Sequence, residues 1–314
     1  ASLSSTCSVL QQSTCPPFFP VSCNRLFLVR QKMAPFVEYK KGDGKHGEHQ
    51  HIRRIILNRP DARNAVNAEV AQQMEAALDA FENDDDAWVA VLCARGPVFC
   101  AGADLKAISD SRGGTIFTEK GGFAGFVRYP RRKPVVAAVE GPCFAGGLEL
   151  ALACDFIVAS SAASFGLPEV KRSLVAAAGG LFRLPSRIPT NEAMMMVLTG
   201  DPIDARRAYQ LGLVQRLTPP GAAEAEALDA ARRIALNAPV AVALSRQVAR
   251  TPGEGPSEAQ GWEASEEAWA RVSSSADHAE GPRAFVEKRA PRWKGWESVE
   301  ERERLVPLPS TSRL

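Results

Sequence analysis

The stretch from residue 134 to 169 constrains the fold more than any other. Its short apolar runs are broken by a Gly-Gly turn and a Leu-Pro turn, and it is otherwise short of charge. Runs of four to eight apolar residues bounded by turn residues read as buried strands. The pattern predicts strands over 135–139 and 155–159 with a short helix over 148–153 between them. Upstream, 52–58 alternates as a strand and 88–94 is a short apolar strand. Between them Ala71, Met74, Leu78 and Phe81 recur at helical spacing after Asn67. Strand and helix therefore alternate, which indicates an α/β layered domain with largely parallel pairing.

After Pro189 the pattern turns helical. Helices are expected over 191–198, 204–211, 222–237, 240–249, 257–275 and 277–288, with one strand over 213–217. The expected organisation is an N-terminal segment (1–37), an α/β core (38–190), a helical region (191–296) and a tail (297–314) that is charged, then Pro/Ser-rich, and mobile. Residues 38–51, polar and Gly/His-rich, read as a loop or a two-stranded turn. His46, His49 and His51 lie there without the spacing of a known metal set, so no metal site is expected.

The chain of 314 residues is close to charge balance, at +2, which gives no reason to expect nucleic acid or an anionic membrane as a partner. No window approaches the roughly twenty apolar residues of a membrane-spanning helix. Seven cysteines with no CxxC pair point to reduced thiols, and Cys93, Cys100, Cys143 and Cys154 read as small buried hydrophobes. The first 37 residues contain no Asp or Glu but carry Arg25, Arg30 and Lys32 among many Ser residues. That composition suits a transit peptide, with the mitochondrial matrix the favoured destination. Alternatively Met33 is the true start and the protein is cytoplasmic, or the segment is a docking tail.

Glu149 and Glu169 sit beside the two turns. A carboxylate in apolar surroundings loses solvation, so its pKa rises and it can exchange a proton near neutral pH. Two of them facing one pocket make an acid/base pair. The plainer readings are a solvated helix face for Glu149, which its neighbours Leu148, Leu150 and Leu152 argue against, and a surface turn for Glu169.

Four motifs occur in order: LNRPDARNA at 57–65, FCAGADL at 99–105, AGGLELALACD at 145–155 and FGLPE at 165–169. With LTGDPIDA at 198–205, GLV at 212–214 and EGPRAFVEKR at 280–289, they resemble the enoyl-CoA hydratase/isomerase (crotonase) family over roughly residues 50–296. The resemblance implies a spiral of ββα units with a C-terminal helical region that packs into trimers, often paired as hexamers. It implies an acyl-CoA substrate and an enolate-like intermediate held by two backbone N–H groups, matched here to Ala101 and Gly146. Preorganised amides of this kind suit a developing oxyanion. The resemblance makes Glu149 the base that takes a proton from water and Glu169 the acid that protonates Cα. Ala145 departs from it, standing where many members have a third glycine.

Contacts to CoA fall, by the same resemblance, on Ala62 and Arg63 and on Ala103, Asp104, Leu105 and Gly147. Lys288 and Arg289 are either phosphate contacts to a neighbouring subunit or a plain surface pair. The acyl group is expected around 107–127, with Phe117, Phe123 and Phe126 either lining a tunnel or simply packing. No cofactor is expected beyond the CoA of the substrate. The leading expectation is an enoyl-CoA hydratase. A carnitinyl-CoA-type dehydratase or an enoyl-CoA isomerase would use the same residues, and a structural subunit of a larger mitochondrial assembly is the alternative of another class.

Overall fold

In a computed structural model of the chain, residues 34–41, 50–105, 114–172, 174–249, 267, 270–296 and 298–307 are described. The expected N-terminal segment up to residue 33, His46 and His49, most of the helix expected over 257–275 and the end of the tail lie outside them. From Pro35 on the chain forms one compact unit, so the change to helices after Pro189 marks a change of element type within one body.

Six strands form the main sheet in the order β1 (Val37–Lys41), β2 (Ile52–Leu57), β3 (Val89–Ala94), β6 (Val135–Val139), β8 (Phe156–Ser160) and β11 (Arg216–Thr218). β1 runs antiparallel to β2, and every other pair in this sheet is parallel. A second sheet sets β7 (Pro142–Phe144) beside β9 (Ser164–Gly166) in parallel, with β10 (Ile203–Asp204) antiparallel outside. β4 (Phe117–Thr118) and β5 (Gly122–Phe123) form a small hairpin. The path from β6 to β7, through helix α2 (Gly146–Ala153), to β8 and β9 puts one strand in each sheet per turn. This is the spiral of ββα units that the motifs implied.

The strands are buried on both faces, and the period of two sorts their side chains. Ile55, Leu57, Ala90, Leu92, Ala137 and Ile157 face helix α1 (Ala68–Asn83) and α2. Ile52, Ile56, Val89, Val91, Val136 and Val158 face the Ala223, Ala227 and Ala231 stripe of a later helix, Ala223–Ala235. Alanine at every fourth position lets that helix lie close to the sheet. Helix α1 begins where Asn67 caps it, its side chain accepting from the Val70 N–H at 2.9 Å.

Two sequence expectations change. The apolar pair Leu213–Val214 is buried but not extended: both N–H groups bond back to the Ala208 carbonyl, and the strand starts later, at Arg216. Of the two readings of 38–51, the two-stranded one holds for 38–41, which lie in β1 and pair antiparallel with β2. The tail expected to be mobile from Glu297 instead forms a helix, Val299–Leu305, capped by Ser298. Its Leu305 and Val306 are buried with Trp88, Val240, Leu244 and Trp296. Among the described residues, no helix is long and apolar enough to cross a membrane.

Candidate active site

The site is built where the spiral brings three turns together: the 99–104 loop, the start of α2, and the chain from Pro168 to Arg183. Cys100 bridges Cys143 of β7 in parallel, which lays the first loop against the second. Gly102 (φ +94°) is the point of contact. A Cβ there would lie 2.7 Å from the Ala145 Cβ and 3.0 Å from the Gly146 nitrogen, so only glycine permits the approach. The first bond inside α2 runs from the Glu149 N–H to the Ala145 carbonyl at 3.1 Å. The Gly146 amide therefore heads the helix without an intrahelical acceptor, at the positive end of the helix dipole.

The Ala101 N–H, expected to stand beside it, is already engaged: it donates to the Arg63 carbonyl at 3.1 Å. The next peptides explain the shift. Ala103 bridges Val66 in parallel, with the Val66 N–H donating to the Gly102 carbonyl at 2.8 Å and the Asp104 N–H to the Val66 carbonyl at 2.9 Å. In such a bridge the middle residue turns its own N–H to the opposite side. Among the described residues the Ala103 amide donates to none, and it leaves Gly102 on the Gly146 side. Where the two loops meet, the Ala103 and Gly146 amides are thus both without an acceptor among the described residues.

The two glutamates are near enough to act on each other. Glu149 lies on the first turns of α2 and is 3% exposed. Its Oε1 accepts the Gly180 N–H at 2.9 Å, and burial pushes its carboxyl up to about 7, with the charge of Glu169 adding to the rise. The Gly180 and Ala178 amides and the Arg183 charge oppose that rise without cancelling it. Glu169 follows Pro168 in a 3-10 turn, Pro168–Arg172. Its Oε2 is buried, accepts no hydrogen bond among the described residues, and burial again raises the carboxyl. The solvated-helix reading of Glu149 is therefore excluded, and Glu169 turns inward rather than out.

Two of the residues expected to contact CoA also hold the loops together. The Asp104 carboxylate accepts from Arg59 Nη1 at 2.6 Å, and Arg59 also donates to the Ala65 carbonyl at 3.0 Å. Asp104 thus ties the 99–104 loop to the 57–65 loop. Gly147 packs under that loop: a Cβ on it would lie 2.2 Å from the Cys100 carbonyl oxygen. Ala62 ends a 3-10 turn, Arg63 follows in the left-handed region with its side chain exposed, and Leu105 is exposed. Arg289 is held by Glu280 at 2.6 and 3.0 Å and by Glu287, so its charge is met within the chain, whereas Lys288 is exposed.

Residues 106–113 of the expected acyl region lie outside the described ones. Phe126 is fully buried under the Arg131 guanidinium and belongs to the core. Phe123 does border the site, because a Cβ on Gly146 would fall 2.4 Å from its ring, and Phe117 packs edge-on against it at 5.8 Å. The GGLFRLP run at 179–185 suits a hydratase or a dehydratase by sequence, but nothing there assigns a role to Gly180 or Arg183. The Gly179–Gly180 pair was their visible sign. The thiols of Cys100, Cys143 and Cys154 are buried beneath the site, and burial pushes Cys100 up to about 12, away from reactivity.

This geometry agrees with the comparisons. A family profile for enoyl-CoA hydratase/isomerase matches residues 47–296. A carnitinyl-CoA dehydratase of Proteus mirabilis is 39% identical over 251 residues, 77% of this chain and 94% of that protein. Among solved structures, an enoyl-CoA hydratase from Mycobacterium tuberculosis superimposes with a TM-score of 0.78 at 44% identity, covering 83% of this chain and all of the other. A carnitinyl-CoA hydratase from Mycobacterium avium gives a TM-score of 0.65 at 40% identity over 83% of this chain and 99% of the other. The relatives named here are bacterial and add no support for a mitochondrial destination. With the profile spanning most of its length and the relatives aligned nearly end to end, this chain is a member of the enoyl-CoA hydratase/isomerase family.

Proposed function

We propose that the protein is a hydro-lyase that adds water to a 2-enoyl-CoA thioester and removes it from the 3-hydroxyacyl-CoA. The observation that carries this reading is the pair of desolvated, interacting carboxylates, Glu149 held by an amide and Glu169 with an oxygen that has no partner among the described residues. Hydration needs a base for water and an acid for carbon, and a pair raised toward neutrality supplies one of each. Glu149 takes a proton from water as its oxygen bonds to Cβ. The Cα=Cβ electrons move onto the thioester oxygen, held by the amides of Ala103 and Gly146. Glu169 then protonates Cα and the carbonyl re-forms. In reverse, Glu169 takes the Cα proton, and the Cβ hydroxyl leaves as water with a proton from Glu149.

The names of the most similar curated relatives favour a carnitinyl-type acyl group, whose dehydration gives 4-trimethylammonio-but-2-enoyl-CoA. Solved neighbours named enoyl-CoA hydratase support simple enoyl groups as the second reading. Loss of enoyl-thioester absorbance with crotonyl-CoA and with the trimethylammonio substrate separates them. A kcat/KM preference for one of at least tenfold assigns the acyl group, and inactivity on both, with other chain lengths also inert, sinks the enzymatic reading in favour of the structural subunit. CoA contacts at Ala62, Arg63 and Leu105, and the absence of any need for a metal, belong to the same proposal; exhaustive chelation should leave turnover unchanged.

A homotrimer or hexamer is part of this reading too. Val175, Phe182, Met195 and Leu198 are each about two-thirds exposed, an apolar surface of the sort that subunits cover. Native mass tests it, and a monomer at micromolar concentration would refute it.

A further inference from the structure

Helix α3 (Gly180–Arg183) presents one side chain that touches both walls of the cleft. Arg183 Nη2 donates to the Val127 carbonyl at 2.8 Å and Nη1 to the Ala178 carbonyl at 3.3 Å. Val127 is buried one turn beyond Phe123, whose ring covers the start of α2. Ala178 begins the turn whose Gly180 N–H holds Glu149. The guanidinium lies against the Gly179 backbone so closely that a Cβ there would fall 2.4 Å from Nη1. We propose that Arg183 is a positioning residue for the Glu149 carboxylate, clamping the 178–180 turn to the Val127 backbone so that the Gly180 amide stays aimed at it.

The inference rests on the acid/base reading of Glu149 for its kinetic part only. Two charged side chains act on that carboxyl: Glu169 from the 3-10 turn, which raises it, and Arg183 from α3, which lowers it. β7 and β8, packed against α2, contribute no charged side chain. Arg183 therefore has two effects on one group, holding its amide donor and supplying the positive charge in the cleft. A fork of N–H donors suits the first task, and a lysine ammonium would keep only the second.

Two measurements test this. The first needs no substrate: melting temperature against pH for the wild type and Glu149→Gln, each with and without Arg183→Met. The pH at which the stability cost of the Glu149 carboxyl levels off, set by its folded proton affinity, should move upward by about half a unit or more when Arg183 is replaced. The second is the pH profile of hydration. Arg183→Met should lower kcat by about 10- to 100-fold with little change in KM, and the alkaline shift of the inflection should appear here too. Arg183→Lys should return the inflection toward the wild-type pH while kcat stays low. An unmoved or downward inflection, or wild-type kcat in Arg183→Lys, overturns the proposal. Should Arg183→Met fail to fold, the lysine variant decides it alone. If the wild type turns over no thioester, the function fails, and the melting arm still judges Arg183.

Discussion

Two groups of buried charge among the described residues are treated in opposite ways. Beneath the C-terminal helix α4 (Val299–Leu305, the last helix described), Arg53, Arg132, Lys133 and Arg302 are almost wholly inaccessible, yet each has a partner. Arg53 donates to Asp84 at 2.7 Å, Arg132 faces Glu82 at 3.6 Å and Arg302 reaches Asp85 at 2.8 Å. Lys133 donates to the Phe81 and Asp84 carbonyls at 2.8 and 2.7 Å, between the rings of Phe81 and Trp296. In the cleft, Glu149 has amides and no cation within bonding distance in the described structure, and Glu169 has an oxygen with no partner. Where charge is met it clamps the fold; where it is left partly unmet, proton affinity moves toward neutrality and chemistry becomes available.

That contrast breaks most sharply at Glu149. Glu149→Gln keeps the acceptor for the Gly180 N–H but cannot take a proton, so kcat should fall by about 10²- to 10⁴-fold while the protein stays folded and melts as the wild type does at about pH 5. A drop below tenfold would move the base elsewhere. Glu82→Ala makes the reciprocal change in the other region, stranding the buried Arg132 guanidinium. Chemical denaturation should report a loss of about 3–5 kcal/mol, while kcat per folded molecule holds. Equal damage to activity would mean that the two regions are coupled.

The pH dependence sharpens the distinction. The folded carboxyl of Glu149 is raised above its ordinary value to about 7, so its contribution to stability is complete at low pH and is lost as pH rises through about 7. Glu149→Gln should therefore gain about 1–3 kcal/mol over the wild type at pH 8 and little at pH 5. Identical curves would contradict the burial. Hydration, which needs Glu149 ionised, should rise with pH across the same window. The smallest effect belongs to Ala145, held at φ 52° and ψ −130° in a region that favours glycine. Ala145→Gly should raise stability by about 1 kcal/mol, seen as a higher melting temperature.

Much of this was legible in residue order. The alternation of β2, the short apolar runs of β3 and β6, the helical spacing of Ala71, Met74, Leu78 and Phe81, and the turn glycines at 146–147 depend on near neighbours. Glu149 stood out because its helix has scarcely any polar surface. What escaped was every assignment that turns on a distant partner. Whether Ala101 or Ala103 offers its amide depends on the register of a bridge to Val66, and Asp104 is committed by Arg59 from another loop. The 299–305 segment read as a mobile charged tail because nothing nearby announces that Arg302 will be buried against Asp85 and Leu305 against Trp88 and Trp296. Periodicity and turn chemistry are local, so the sequence by itself determined the layers and the candidate acid and base. Satisfying a polar group is a long-range matter, and only the tertiary structure decided which amides, cations and carbonyls remained for the site.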